Sequence, residues 1–215
     1  MKPATLTFDN GPHPEVTPQV LDVLRSRDVS AAFFVCGRQI DRPGGRELLR
    51  QIHDAGHVIG NHTYSHVDGL GAKRAGVDVC EDEIGRTQEL LGDVAADERW
   101  FRPAGGGGVL SPELLSQAVV RYLVDHHHSM VLWNSVPRDW VDTDGWVDTA
   151  LSQMEPIDWP VVVVHDLPTG AMAHLQEFLD RGAEAGFEFR TEFPDACTPI
   201  RAGEITGSLE GLVTP

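Results

Sequence analysis

The chain has 215 residues, 41% of them apolar and 7% aromatic, enough for one domain with a substantial core and too apolar for a disordered chain. Seventeen basic against thirty-three acidic residues give a formal charge of −16, which repels nucleic-acid phosphates and anionic membrane surfaces and favours a neutral or cationic ligand. No apolar run approaches the roughly 18 residues of a membrane span and no signal-peptide pattern opens the sequence, so as written it reads as cytoplasmic, or as secreted if a leader has been removed.

Along the chain, short apolar runs alternate with longer segments of helical period. "ATLTFD" is a strand followed by a predicted helix over Pro14–Arg27, with Val16, Val20, Val23 and Leu24 on one face. "AAFFVC", with Cys36 expected in the core, precedes a helix over Gly45–Ala55 carrying Leu48, Leu49 and Ile52. "HVIGNH" leads through a loop to a helix over Val77–Leu91, "WFRP" to Ser111–Leu123, "MVLWNSV" to Trp146–Met154, "VVVVHD" to Met172–Ala185, and "FEFRT" to an irregular tail over Phe193–Pro215. Seven such units without a linker predict a single α/β domain over residues 1–215, with parallel strands buried on both faces and wrapped by helices. A closed or nearly closed barrel is favoured over an open sheet. Nothing resembles a dinucleotide fingerprint after the first strand, and Gly105–Gly108 is not followed by the Lys-Ser/Thr of a P-loop. Cys36, Cys80 and Cys197 are widely spaced and suggest neither a disulfide framework nor a structural zinc site.

In a βα barrel the reactive groups sit at the C-terminal strand ends. Strand one ends in Asp9-Asn10, strand three in His62 with His66 four residues on, strand four in Arg102, strand five in Asp139-Trp140, and strand six in His165-Asp166. Asn10-Gly11-Pro12 alone would read as a tight turn, but five polar strand ends on one rim point to a site. The spacing in "HTYSH" lets two imidazoles reach one divalent ion, and an aspartate or asparagine from strand one completes a three-ligand site of hydrolytic type. Zinc is the first expectation, with cobalt, manganese and nickel as alternatives. "DHHHS", Asp125 to Ser129, reads as a solvated loop outside the site.

Taken in order, Thr7-Phe8-Asp9-Asn10-Gly11-Pro12, His62-Thr63-Tyr64-Ser65-His66, Arg102-Pro103, Asp139-Trp140 and Val163-Val164-His165 resemble the five motifs of the polysaccharide deacetylase family, the NodB-homology domain or carbohydrate esterase family 4. The match spans about residues 5 to 190. The resemblance implies a distorted (β/α) barrel of about seven parallel strands and metal-assisted hydrolysis of an N-acetyl group on a sugar. It implies Asp9 as general base, Arg102 orienting it, His62 and His66 as metal ligands with Asn10 beside them, and His165 as general acid tuned by Asp139. Trp140 would wall the acyl pocket, with Pro103 and Gly105 against the substrate.

The pattern breaks in three places. Asn10 stands where the family writes a second, metal-binding aspartate, which predicts weaker metal binding. Gly105 stands where motif three carries an aromatic, so the aromatic wall is expected to be missing there and the glycine loop to be loose, although the Gly105 N–H remains available to an oxyanion. Val136 replaces an aspartate of motif four. These departures leave open a small non-sugar amide or cyclic imide as substrate, or a catalytically impaired carbohydrate-binding protein. The oligomeric state is not readable.

Overall fold

A computed structural model of the chain describes residues 1–66, 69–71 and 77–214. The expected loop between His66 and Val77 lies partly outside those residues, as does Pro215. The chain opens with β1 (Lys2–Asp9), α1 (Val16–Ser26), β2 (Ala32–Val35), α2 (Gly37–Ile40), α3 (Gly45–Asp54) and β3 (Val58–Asn61). A helical run follows, α4 (Val77–Cys80), a π-helical turn over Glu81–Gly85 and α5 (Arg86–Leu91), and then β4 (Trp100–Phe101), α6 (Gln117–Asp125) and β5 (Ser129–Met130). The second half adds α7 (Trp146–Met154), β6 (Val161–His165), α8 (Leu175–Glu184), β7 (Phe187–Arg190) and the two-residue strands β8 (Ile200–Arg201) and β9 (Glu204–Ile205).

Strands run parallel in the order β6-β1-β2-β3-β4-β5, and a parallel bridge between Ser135 and Val162 joins the segment after β5 back to β6. The sheet thus closes into the distorted barrel that the apolar runs predict. β6 pairs with Thr5–Asp9 of β1 and β7 with Lys2–Thr5, so the seventh strand shares β1 rather than forming a separate stave. β8 and β9 add antiparallel strands beside β5.

Alternation along the strands sorts the core into two layers. Leu6, Phe8, Phe33, Val35, Val162 and Val164 face outward under the helices, where Val20 and Leu24 of α1, Leu49 and Ile52 of α3 and Phe178 of α8 cover them. Thr7, Asp9, Ala32, Phe34, Val161 and Val163 alternate with these and face the barrel interior. Phe193, from the tail, fills the bottom of that interior, its ring 4.7 Å from Trp100 and 6.0 Å from Phe34. Phe34 in turn carries the Arg102 guanidinium, 4.0 Å above its ring. The start of the tail, expected to be irregular, therefore packs across the barrel.

Gly60 of β3 makes this stack possible, since a Cβ there would stand 2.5 Å from the Phe34 ring. Gly60→Ala is expected to force Phe34 sideways at a cost of about 1–3 kcal/mol, the usual range for overpacking, and to lower the unfolding temperature by several degrees. Thermal unfolding at the wild-type temperature would show that Phe34 yields without strain.

Two elements differ from expectation. The helix predicted over Ser111–Leu123 begins only at Gln117, with the Ser116 hydroxyl capping Val119 N–H, because the preceding Leu115 bonds to Leu212 and Thr214 instead of to a helical turn. The run 77–91 is helical but contains the π turn. No helix among the described residues is long and apolar enough to cross a membrane.

Candidate active site

β1 and β6 pair in register at their ends, Asp9 opposite His165, so a carboxylate and an imidazole emerge side by side at the top of the barrel. Arg102 follows β4 directly and is fully buried. Its Nη1 donates to Asp9 Oδ1 at 2.8 Å and to Thr7 Oγ1 at 2.7 Å. Burial pushes the Asp9 carboxyl upward, but Arg102, with His62 and His165 beyond it, outweighs burial and holds it below the usual carboxylate range. Asp9 is thereby an anion at neutral pH.

His165 has the opposite bias. Asp139, fully buried, accepts from His165 Nδ1 at 2.8 Å through one oxygen and from its backbone N–H at 3.0 Å through the other. Burial lowers the His165 pKa, yet the hydrogen bond and charge of Asp139, with Asp9 and Asp166, raise it above the ordinary histidine value. With Nδ1 committed to Asp139, Nε2 is the nitrogen left for the pocket. The Trp140 ring stands edge-on to His165 with centroids 4.9 Å apart. Asp139→Asn is expected to move the alkaline limb of any rate profile governed by His165 to lower pH, because a neutral amide no longer favours the charged ring. An unmoved limb in a folded variant would remove Asp139 from that task.

His62 and His66 lie on the next loop, rings edge-on with centroids 5.1 Å apart. The Arg102 carbonyl can only accept, so His62 carries its proton on Nδ1, 2.8 Å away, and presents the Nε2 lone pair 3.6 Å from Asp9 Oδ2. Burial pushes the His62 pKa down to about 4 despite Asp9, which keeps the ring neutral and able to coordinate. Asn10 adopts φ +77°, a left-handed conformation asparagine tolerates, and its Oδ1 is buried with no hydrogen-bond partner among the described residues. A buried carbonyl oxygen without a donor, in the same pocket as a neutral imidazole nitrogen and a second histidine, suits a divalent cation. No three His, Cys, Asp or Glu side chains of the described residues form a metal-ready group, so the third protein donor on offer is this amide oxygen.

The reactive ends of these groups open on one pocket of about 370 Å³, lined by all of them except Arg102 and Asp139. Asp9, Asn10, His62, His66 and His165 form its polar end, and Trp140, Pro103 and Gly105 line it as well. Arg102 and Asp139 lie behind the lining, each in contact with a group that reaches it.

The structure also supplies what the sequence reading missed. Trp133, Val136, Val163 and Leu167 make the apolar wall. The aromatic surface expected to be missing beside Gly105 is present, because Trp133 occupies that space; a Cβ on Gly105 would come 2.7 Å from its indole. The glycine loop is tied at one end, where Trp133 Nε1 donates to the Gly108 carbonyl at 2.8 Å, and Gly106–Gly108 forms a 3-10 turn. A tryptophan beside a strand end was the available signal. Asp166 accepts from Thr17 Oγ1 and is fully buried, which pushes its carboxyl up to about 7, and a side chain on Gly11 would overlap it. In "DHHHS", His126 stacks on Tyr122, but His128 is buried rather than solvated, with Nδ1 donating to the Arg99 carbonyl at 3.0 Å. None of the three lines the pocket.

Comparison with known proteins matches the polysaccharide deacetylase family model to residues 1–122. The chain belongs to the polysaccharide deacetylase family. A peptidoglycan-N-acetylglucosamine deacetylase of Bacillus cereus is 32% identical over 178 residues, covering 81% of this chain, and the chain spans only 58% of that protein's length. A chitooligosaccharide deacetylase of Sinorhizobium fredii is 34% identical over 164 residues, 75% of this chain and 70% of its own. Among solved structures, the peptidoglycan deacetylase PdaC from Bacillus subtilis superposes with a TM-score of 0.67 at 29% identity, over 87% of this chain and 86% of that one. The shared fold agrees with the closed sheet described above.

Proposed function

We propose that this protein hydrolyses the acetamide of an N-acetylated amino sugar or oligosaccharide, with Asp9 as general base and His165 as general acid. The observation that carries the proposal is the register pair Asp9 and His165, whose surroundings hold one deprotonated and favour the protonated form of the other on a single pocket. Amide hydrolysis needs that division, because an attacking water has to lose a proton and an amine leaving group has to gain one. Asp9 Oδ1 is committed to Arg102, which leaves Oδ2 to take the proton. His165 Nε2 delivers one to the departing nitrogen. The Gly105 N–H is the backbone donor at the rim for the oxyanion, and the Trp133–Trp140 side of the pocket accepts the acyl methyl. The similarity to chitooligosaccharide and peptidoglycan deacetylases supports a GlcNAc-type substrate.

His62, His66 and Asn10 would hold the divalent ion, zinc in first place, which when bound acidifies water and polarises the amide carbonyl. Because Asn10 contributes a neutral oxygen, Asn10→Asp is expected to tighten zinc binding about tenfold or more, read by competition with a chromophoric chelator. Unchanged affinity would take Asn10 away from the metal. The direct test of function is acetate release from chitooligosaccharides by protein loaded with zinc or cobalt. Release that disappears on chelation and returns with metal is the expected result. Loaded, folded protein that releases none would overturn the substrate.

A further inference from the structure

The loop between the two pocket histidines has an unusual backbone for its residues. Thr63 has φ +66° and His66 φ +56°, both left-handed, and a β-branched threonine rarely adopts that region. Such a conformation persists only where its surroundings over-determine it. Each backbone N–H of the loop has an assigned acceptor: Thr63 N–H donates to Asn61 Oδ1 at 3.0 Å and His66 N–H to Thr63 Oγ1 at 3.1 Å. The two central ones, Tyr64 and Ser65, both donate to Glu83 Oε2, at 3.0 and 2.8 Å, and the Ser65 hydroxyl donates to Glu83 Oε1 at 2.7 Å.

Glu83 is half-buried at the middle of the π turn, 18 residues from Ser65 in sequence. The π turn and the first residue of α5 are tied to the end of β3 and to the histidine loop twice more. Asn61 Nδ2 donates to the Ile84 carbonyl at 2.9 Å, and Arg86 stacks on the Tyr64 ring at 3.5 Å while donating to its hydroxyl at 2.7 Å. A π turn inserted in a helix shifts the side chains after it, and such turns recur at functional sites.

We infer that Glu83 is a positioning residue for the metal site, its carboxylate fixing the backbone of the His62–His66 loop and so the separation and aim of the two imidazoles. The inference rests on the reading of His62 and His66 as metal ligands. Glu83 acts by geometry, as two acceptor oxygens at a fixed reach, rather than by adding negative charge near the cation. Groups that orient metal ligands typically cost 10- to 100-fold in metal affinity when removed.

Charge and geometry make opposite predictions for two conservative variants. Glu83→Gln loses the charge but keeps one oxygen for the two N–H groups, and its NH₂ can donate to a Ser65 hydroxyl that turns to accept. Glu83→Asp keeps the charge but withdraws it by one methylene. The experiment titrates the full-length apoprotein with Co²⁺, following the visible absorption of the bound ion, for the wild type, Glu83→Gln, Glu83→Asp, Glu83→Ala and His62→Ala. Expected are near wild-type affinity for Glu83→Gln, within about threefold, and losses of at least tenfold for Glu83→Asp and Glu83→Ala. Should Glu83→Ala fail to fold, the Gln and Asp variants decide between them. Wild-type affinity in Glu83→Asp with weakened binding in Glu83→Gln would overturn positioning in favour of charge. Full affinity in all folded Glu83 variants, with His62→Ala losing the ion, would overturn the role of Glu83 and leave the histidine site standing. If the wild type fails to bind Co²⁺, or His62→Ala binds it equally well, the histidine reading falls and this inference with it.

Discussion

Replacing His165 by alanine is expected to lower turnover on an N-acetylated oligosaccharide by roughly two to four orders of magnitude, the range for losing acid–base assistance, while leaving the bound metal in place. One oxygen of Asp139 holds the ring while the other accepts from the His165 backbone N–H, so removing the ring leaves one oxygen of a buried carboxylate unpaired, and a fall in activity has to be separated from misfolding. Two readouts separate the causes. Circular dichroism and unfolding of the variant establish that the barrel survives, and metal content establishes that the His62–His66 end is intact. A folded, metal-loaded variant with wild-type turnover would remove His165 from the reaction.

The second large effect is expected at Asp9, where chemistry and stability are joined. Asp9→Ala removes the proposed base and leaves the Arg102 charge without its carboxylate partner in a fully buried position. Breaking a buried pair in this way costs about 3–5 kcal/mol, which is a large part of the 5–15 kcal/mol that stabilises a typical domain. Adding Arg102→Met to Asp9→Ala is expected to restore much of the stability and none of the activity, because the stranded charge is gone and an apolar side chain still covers Phe34. Urea unfolding of the two single variants and the double variant measures the coupling. Equal stability of Asp9→Ala and the wild type would show that Arg102 finds another partner. The pair also sets an acid limit. Since the Asp9 pKa is lowered on folding, its contribution is complete above the unfolded value of about 3.9 and is lost as pH falls through the folded value.

Much of this site was legible because parallel strands buried on both faces are apolar without interruption, so Asp9, His62, Arg102 and His165 stand out as the polar residues that end them. The register of Asp9 with His165 was not legible, since no local pattern records which strands are neighbours. β4 and β5 have two residues each and carry too little pattern to fix their lengths. Leu114 and Leu115 fall inside the helix predicted over Ser111–Leu123, whose start was set too early. They are buried instead by the chain around Leu70 and Leu212, a tertiary contact that overrides the period. The π turn was invisible because Glu81–Gly85 lies within an otherwise helical run. Trp133 was not legible as part of the wall because the indole beside Gly105 comes from the segment after β5, far from Gly105 in sequence.

The pairing of β1 with β6 has a consequence for how the protein comes into being. Thr7 bonds to Val162, 155 positions later, so contacts between these strands cannot form until most of the chain is available. Contacts so distant in sequence slow folding relative to local ones, because loop closure precedes the reward. Asp9 and His165 belong to that late seam, and helices such as α1 and α3 can form before it closes. After dilution from denaturant, helical signal is therefore expected to return ahead of catalysis, and the interval between the two measures the zipping of the first strand to the sixth.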